Sequence, residues 1–380
     1  MNRTLWLAGW LCALLASASR LEAQAPGTQT ERVGASAVTI ADAAQEQAQA
    51  EVKKPAKKRS PWMASPLVSS SPKMGTSVGG LGAYLHYFDP ESDVSLFGGM
   101  FQYSTTNSMA GGLFARTSFS ADHQRLEGIV GFGYVENEYE DFQGTGEPLN
   151  TTDDLRLFAS RYLYRFKGDW FAGTQAIFAN YVVSGMTSSD QLMLDAIGIS
   201  GYNSGGVGIT LMHDSRDNPD MPVKGWYADA ANIANSRALG AEEDYQWYRV
   251  DFRSFLQHGK GHVLALRQFN QFTYGAPASA ESTINLRGYK MQQYLGKHVS
   301  SIEIEERLRF SRRWGATLFA GVGWLYGGSA GEADSDGAYP SVGGGIHFIL
   351  KPEDHMLVNL EYAYGNSDNQ GIYLKFGYTW

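Results

Sequence analysis

The sequence predicts an all-β protein, a transmembrane antiparallel β-barrel of sixteen strands, and three observations carry that prediction. From Trp62 to the chain end, apolar residues recur at a period of two, the spacing of strands with two unlike faces. Beyond residue 19 no run reaches the roughly 18 consecutive apolar residues that a spanning helix needs. The chain of 380 residues holds 44 glycines and 9 Trp, 21 Tyr and 19 Phe, a composition suited to many short strands and tight turns.

The first element is an export signal over residues 1–25. Arg3 precedes an apolar stretch from Leu5 to Ala16, followed by A-x-A sites at Ala16-Ser17-Ala18 and Ala23-Gln24-Ala25, the order of a secretory signal peptide. Cys12, the single cysteine, sits inside it behind Leu11, so the exported chain is expected to carry neither a lipid anchor on cysteine nor a disulfide. Residues 26–60 are rich in Ala, Gln, Ser, Thr and Lys and end in Lys53-Lys54-Pro55-Ala56-Lys57-Lys58-Arg59. They are too polar to offset the entropy of ordering, and are expected to form a disordered periplasmic tail.

Residues 61–380 form the barrel. The clearest strands close the chain. Ile372, Leu374, Phe376, Tyr378 and Trp380 alternate with Tyr373, Lys375, Gly377 and Thr379. Before them, Met356, Val358, Leu360, Tyr362 and Tyr364 alternate with Asn359, Glu361 and Ala363. Apolar outward and polar inward is the pattern of a strand crossing lipid. With turns read from Gly, Pro, Asn, Asp and charge clusters, strands are expected near 62–70, 74–87, 93–103, 109–120, 124–137, 154–166, 169–183, 203–214, 224–235, 244–256, 261–274, 298–310, 314–327, 339–350, 355–364 and 371–380. Tight connections at 121–123, 167–168 and 311–313 alternate with long ones at 138–153, 184–202 and 275–297, as in outer-membrane barrels with short periplasmic turns. Trp62, Trp170, Trp226, Trp314 and Trp380 fall at expected periplasmic strand ends, and Trp247 and Trp324 near the outer rim. Two aromatic girdles are the consequence.

Charge narrows the partners. The formal net charge is −8. Residues 1–60 hold eight Lys/Arg and five Asp/Glu, which leaves 23 basic and 34 acidic groups in 61–380. An acidic body argues against nucleic acid, because phosphate binding needs a basic surface. No H-E-x-x-H is present and the eight histidines are scattered, so no catalytic residue, metal or cofactor is expected. Outer-membrane lipids and lipopolysaccharide are the expected surroundings. Glu136, Glu138, Glu140 and Asp141 lie in an outer loop within reach of lipopolysaccharide-bound divalent ions, or are simply solvated.

Two motifs stand out. Asp214-Ser215-Arg216-Asp217-Asn218-Pro219, followed by Pro222 and Gly225, occupies an expected periplasmic turn. Leu286-Arg287-Gly288-Tyr289 lies in the long loop before strand twelve. Together, with five strands after that loop and a terminal aromatic, they resemble the BamA/TamA superfamily of barrels, the bacterial surface antigen type, which includes assembly factors and two-partner secretion pores. The resemblance covers residues 62–380. It implies that the D-x-R-D…P-x-x-G turn joins strands eight and nine, and that the R-G-[FY] loop folds back into the lumen. It also implies that Phe376, Tyr378 and Trp380 act as the C-terminal signal read by the barrel assembly machinery.

A guanidinium in a narrow lumen cannot shed its charge and needs carboxylates in fork geometry. Glu303, Glu305 and Arg307 share one parity of strand twelve. Glu305-x-Arg307 resembles the family's E-x-R, and Glu361 sits where many members carry an inward acid. Glu303, Glu305, Arg307 and Glu361 are therefore the candidate surroundings of an Arg287 latch. The next strand departs from the family's F-x-D-x-G pattern and reads Phe319-Ala320-Gly321-Val322-Gly323. Glu306 falls on the lipid-facing parity, where charge is costly, and a bulge or an error of register is expected there. The tail has no room for the periplasmic POTRA modules of the assembly factors, so a stand-alone barrel is expected. The functional reading is a barrel for inserting or translocating protein or lipid, through a plugged lumen or a seam between strands one and sixteen, where Pro66 cannot donate to a ladder. The alternative is a passive porin for small solutes, whose acidic body would favour cations.

Overall fold

A chain of two-faced strands leaves a bare edge at each end unless it closes, and in lipid a bare edge has no water to bond. In the computed structural model, which describes residues 61–71, 75–140, 142, 147–196, 199, 201–218, 221–328, 335–351, 356–366 and 369–376, the chain closes. The expected export signal, the tail, Tyr378 and Trp380 lie outside the described residues.

Sixteen strands form the ring, each antiparallel to its neighbours. The first eight are β1 (Trp62–Ser71), β2 (Gly75–His86), β3 (Ser95–Ser104), β4 (Met109–Phe119), β5 (Gln124–Tyr139), β6 (Leu149–Lys167), β7 (Trp170–Gly185) and β8 (Gly201–Asp214). The rest are β9 (Gly225–Asn235), β10 (Tyr245–His258), β11 (His262–Tyr274), β12 (His298–Arg309), β13 (Trp314–Tyr326), β14 (Gly337–Lys351), β15 (Met356–Gly365) and β16 (Gln370–Phe376). β1 pairs with β2 over its whole length, from Trp62 opposite Tyr84 to Ser71 opposite Gly75. At the seam, among the described residues, β1 meets β16 at Ser70 opposite Leu374.

Side chains sort by parity. On β12, Glu303, Glu305 and Arg307 are buried inside, while Ile302 and Ile304 are exposed outside. On β15, Asn359 and Glu361 point inward and Leu360, Tyr362 and Tyr364 outward. Polar groups are thus buried and apolar ones bare, the inverse of a water-soluble core and the arrangement of a barrel solvated by lipid.

The rim where β1 begins and β16 ends is the inner rim, and the other is the outer rim. Connections at the inner rim are short at 120–123, 168–169, 259–261 and 310–313, but 87–94 and 215–224 are longer. β6 begins at Leu149 and β8 at Gly201, so two outer loops are shorter than expected. The loop before β8 also holds a helix, α1 (Ser188–Ala196). Asp190 starts it, accepting from Thr187 N (3.0 Å) and Asn150 N (3.2 Å), and so fixes it to the end of β6.

Two expectations need correcting. Glu306 causes no bulge: β12 pairs without interruption with β11 and with β13 through that position. Its outward carboxylate lies near the inner rim, 2.9 Å from His258 Nε2, and a polar partner at the edge of the apolar band removes the cost that predicted an irregularity. Trp247 does not join a girdle. It sits on the inward parity of β10 and packs against the apolar cluster of Tyr139, Leu157 and Tyr181, because a luminal core needs large apolar side chains as much as an interface does. Trp62, Trp170, Trp226 and Trp314 stand on the outward parity at inner-rim strand ends, with Trp324 outward near the other rim. Trp170 and Trp226 enclose His213, whose ring stacks on Trp226 at 3.7 Å.

Candidate functional site: a plugged lumen

The connection 275–297 leaves β11 at the outer rim and turns into the barrel. Its backbone polar groups need partners there, and part of the need is met by a short ribbon in which Ser282–Thr283 pairs with Leu295–Gly296. Ile284, Leu286, Tyr289 and Tyr294 pack on Phe269, Val299, Leu325 and Tyr339 of the β11–β14 wall.

Gly288 sets the approach. Its φ of +101° is a left-handed value, and a Cβ there would lie 3.2 Å from the amide of Gly365, so glycine alone brings the loop this close. Its amide donates to Tyr373 Oη at 2.7 Å. The Tyr289 hydroxyl donates to the carbonyl of Pro340 and accepts from Asn366 N at 3.0 Å.

Between these contacts Arg287 is buried, 5% exposed. Its Nη2 donates to Glu303 Oε1 at 2.8 Å and its Nε to Oε2 at 3.3 Å, a fork on one carboxylate. Nη1 donates to Glu361 Oε2 at 3.0 Å and stands 2.8 Å from Glu305 Oε2, an ion pair without hydrogen-bond alignment. The guanidinium carbon lies 3.3 Å from the centre of the Phe319 ring, within reach of a cation–π attraction. Position 321, where the family's motif would place an acid, is an inward glycine whose Cβ would meet the Ile302 carbonyl at 2.8 Å. Glu361 supplies a carboxylate from β15 instead, steadied by Asn359 Nδ2 at 2.7 Å.

Glu305 has a second partner, because Arg307 Nε donates to its Oε1 at 2.6 Å. Arg307 Nη1 then donates to the carbonyl of Pro222 at 3.3 Å, in the turn 215–224. That turn carries the other motif. Arg216 forks onto Asp214 at 2.8 and 2.9 Å and lies over the Tyr227 ring. Asp217 Oδ1 accepts from Val223 N and Lys224 N at 3.0 and 3.1 Å. Gly225 has a φ of +96° and a Cβ there would lie 2.2 Å from the Ser215 carbonyl. Met221 reaches Ile349 and Leu357 on β14 and β15, so the turn runs beneath the lumen.

The loop also contacts the far wall. Gln292 Oε1 is 2.9 Å from Tyr181 Oη, which donates to Asp153 Oδ2 at 2.7 Å. Lys290 Nζ donates to the Glu138 carbonyl, and Leu295 joins the cluster of Tyr139, Leu149 and Leu194. One loop thus bridges the β11–β16 wall and the β5–β7 wall.

Below it the wall is charged. Asp122 pairs with Arg125 (2.7 Å) and Arg165, Glu127 with Arg161 (3.1 Å) and Arg116 (3.6 Å), and Asp251 with Arg253 and Arg267 (2.9 Å each). Asp229 pairs with Arg161 and stands 3.7 Å from Arg249. These residues, with Tyr181, Tyr373 and Phe319, were not singled out from the sequence. Their inward parity was the available signal. Phe376 ends the described part of β16, opposite Val358.

The fold and this lumen define a sixteen-strand transmembrane barrel closed by an inward loop. No protein-family model and no curated protein sequence matches the chain. Among solved structures it is similar to BamA from Haemophilus ducreyi lacking POTRA domains 1-3, at 11% identity and TM-score 0.57, over 96% of this chain and 81% of that one. It is similar to CdiB from Escherichia coli at 12% identity and TM-score 0.60, over 85% and 63%, and to CdiB from Acinetobacter baumannii at 9% and 0.57, over 83% and 59%. The chain spans less than two thirds of either CdiB chain. Its fold is that of BamA- and CdiB-type barrels.

Proposed function

We propose that this chain is an integral bacterial outer-membrane barrel that inserts or translocates protein or lipid, its inner rim in the periplasm. One observation carries the reading: a loop spans the lumen, held by charge pairs centred on Arg287 as well as by apolar contacts. Its charge pairs can be exchanged for water or client groups, so such a plug can leave and return. Pro66 of β1, which cannot donate to a ladder, supports a lateral route between β1 and β16 as a second exit. The reading keeps residues 1–25 as export signal and 26–60 as periplasmic tail, with insertion by the barrel assembly machinery through the C-terminal aromatic segment. It assigns no enzymatic step. Surrounding lipid and lipopolysaccharide are its standing partners, and a protein or lipid client its transient one.

Planar-bilayer conductance of the refolded chain tests this, wild type against Arg287→Ala in identical salt. A small flickering current that grows in the variant is the expected outcome. A large steady current unmoved by the substitution would establish the passive solute channel and dismiss the plug.

A further inference from the structure

The body of the chain is acidic, with 34 acidic against 23 basic groups in 61–380, yet one stretch of the lumen wall is rich in arginine. There seven guanidiniums share four buried carboxylates, each acid serving two arginines and Arg161 bridging two acids. A fifth carboxylate, Asp93, reaches Arg125 at 3.4 Å from the exposed rim. Counting it sets seven guanidiniums against five carboxylates in this stretch. Arginine cannot relieve that excess by losing a proton, and a lumen walled by lipid-embedded strands strengthens the field.

The excess concentrates at Arg249. Asp229 is already engaged by Arg161, by Tyr227 Oη at 3.0 Å and by Thr210 Oγ1 at 3.2 Å. Arg249 stands 3.7 Å from it, beyond hydrogen-bond range. Its Nε is buried and has no hydrogen-bond partner, and its side chain is 22% exposed toward the lumen. The guanidinium lies 5.4 Å from the Trp247 ring centre, under the cluster that closes the outer half. A buried unpartnered donor on a surplus cation marks a missing acceptor.

We propose that Arg249 holds an oxyanion of phosphate type in the lumen, a forked acceptor that completes the guanidinium's bonding. Phosphate chemistry can arrive as a free ion or as the headgroup of an anionic lipid. The inference goes beyond the translocation reading and does not depend on it.

Calorimetric titration of the full refolded chain in a zwitterionic detergent tests it, with inorganic phosphate and, separately, dihexanoylphosphatidylglycerol as probes. Saturable binding is expected, weakened about tenfold by Arg249→Gln, as loss of one charge-assisted hydrogen bond implies. Arg249→Lys, which keeps the charge and loses the fork, should fall between, and Arg156→Gln, an outward arginine of β6, should bind as wild type. Tighter binding of the lipid assigns the headgroup source, and equal or weaker binding the free ion. Absence of saturable binding of both probes overturns the proposal, as does wild-type affinity in Arg249→Gln, or in Arg249→Lys should the glutamine variant not refold. A chain that binds phosphate yet conducts as an open pore would retire the translocation reading and leave this one standing.

Discussion

Arg307 donates from Nη1 to the carbonyl of Pro222, 3.3 Å away, and so ties β12 to the turn beneath the lumen. Its Nε is spent on Glu305, the carboxylate that also faces Arg287. The loop from the outer rim and the turn at the inner rim are therefore joined through one acid. Arg307→Ala is expected to loosen the turn while leaving the ring closed. Hydrogen exchange at Val223 and Lys224, whose amides bond to Asp217 Oδ1, should quicken in that variant, with β12 amides still protected. Unchanged exchange at both positions would show that Asp217 and Gly225 hold the turn by themselves.

Arg287→Ala leaves three carboxylates facing one another in a lumen that excludes most water. Breaking such a set by removing its cation costs roughly 3–5 kcal/mol when fully desolvated, less where water enters. Denaturant unfolding of the refolded barrel should therefore show a loss of a few kcal/mol. Pairing that substitution with Glu305→Gln should give a non-additive result, because removing the acid as well relieves the repulsion the first change creates. Strict additivity would mean that Arg287 and Glu305, 2.8 Å apart, do not interact in solution.

Much of the barrel was legible because lipid imposes a simple rule: each strand shows apolar groups outward at period two, and Leu360, Tyr362 and Tyr364 obey it without exception. Pairing across the lumen was not legible. Arg161 on β6 meets Asp229 on β9, strands that are not neighbours in the ring, and no local spacing encodes that distance. Trp247 was misplaced because an aromatic at a strand end suits both an interface and a core, and parity had to decide. Helix α1 was hidden inside a loop whose sequence shows strand-like turn signals on both sides.

The inner-rim turn after β4 carries strain that can be measured. Ser120, Ala121 and Asp122 have φ of +58°, +52° and +58°, left-handed values that cost an ordinary residue about 1–2 kcal/mol. Ala121→Gly removes that cost at its position and adds back about 0.4–1 kcal/mol through the freer unfolded chain. The balance is a stabilisation of about 0.5–1 kcal/mol. The midpoint of denaturant unfolding should rise in the variant, and a fall would mean that the Ala121 methyl makes a contact worth more than the strain.

Asp122, in the same turn, links that strain to pH. Burial works against its charge, but the guanidinium of Arg125, with hydrogen bonds from Arg125 and Ser118 and the charge of Arg165, holds the carboxyl below its ordinary value of 3.8. A carboxylate lowered on folding contributes stability that is fully present above the unfolded value and is lost as pH falls through the folded one. Asp122→Asn should therefore be less stable than wild type by a constant margin between about pH 5 and 8, the range in which an ordinary carboxylate is ionised in both states. That margin should shrink as pH drops below 3.8, where the unfolded carboxyl takes up its proton, and vanish below the lowered folded value, where Arg125 and Arg165 lose their counter-charge. Unfolding curves collected from pH 8 to pH 2 decide the matter, and a margin that stayed level throughout would show that Asp122 acts through its hydrogen bonds alone.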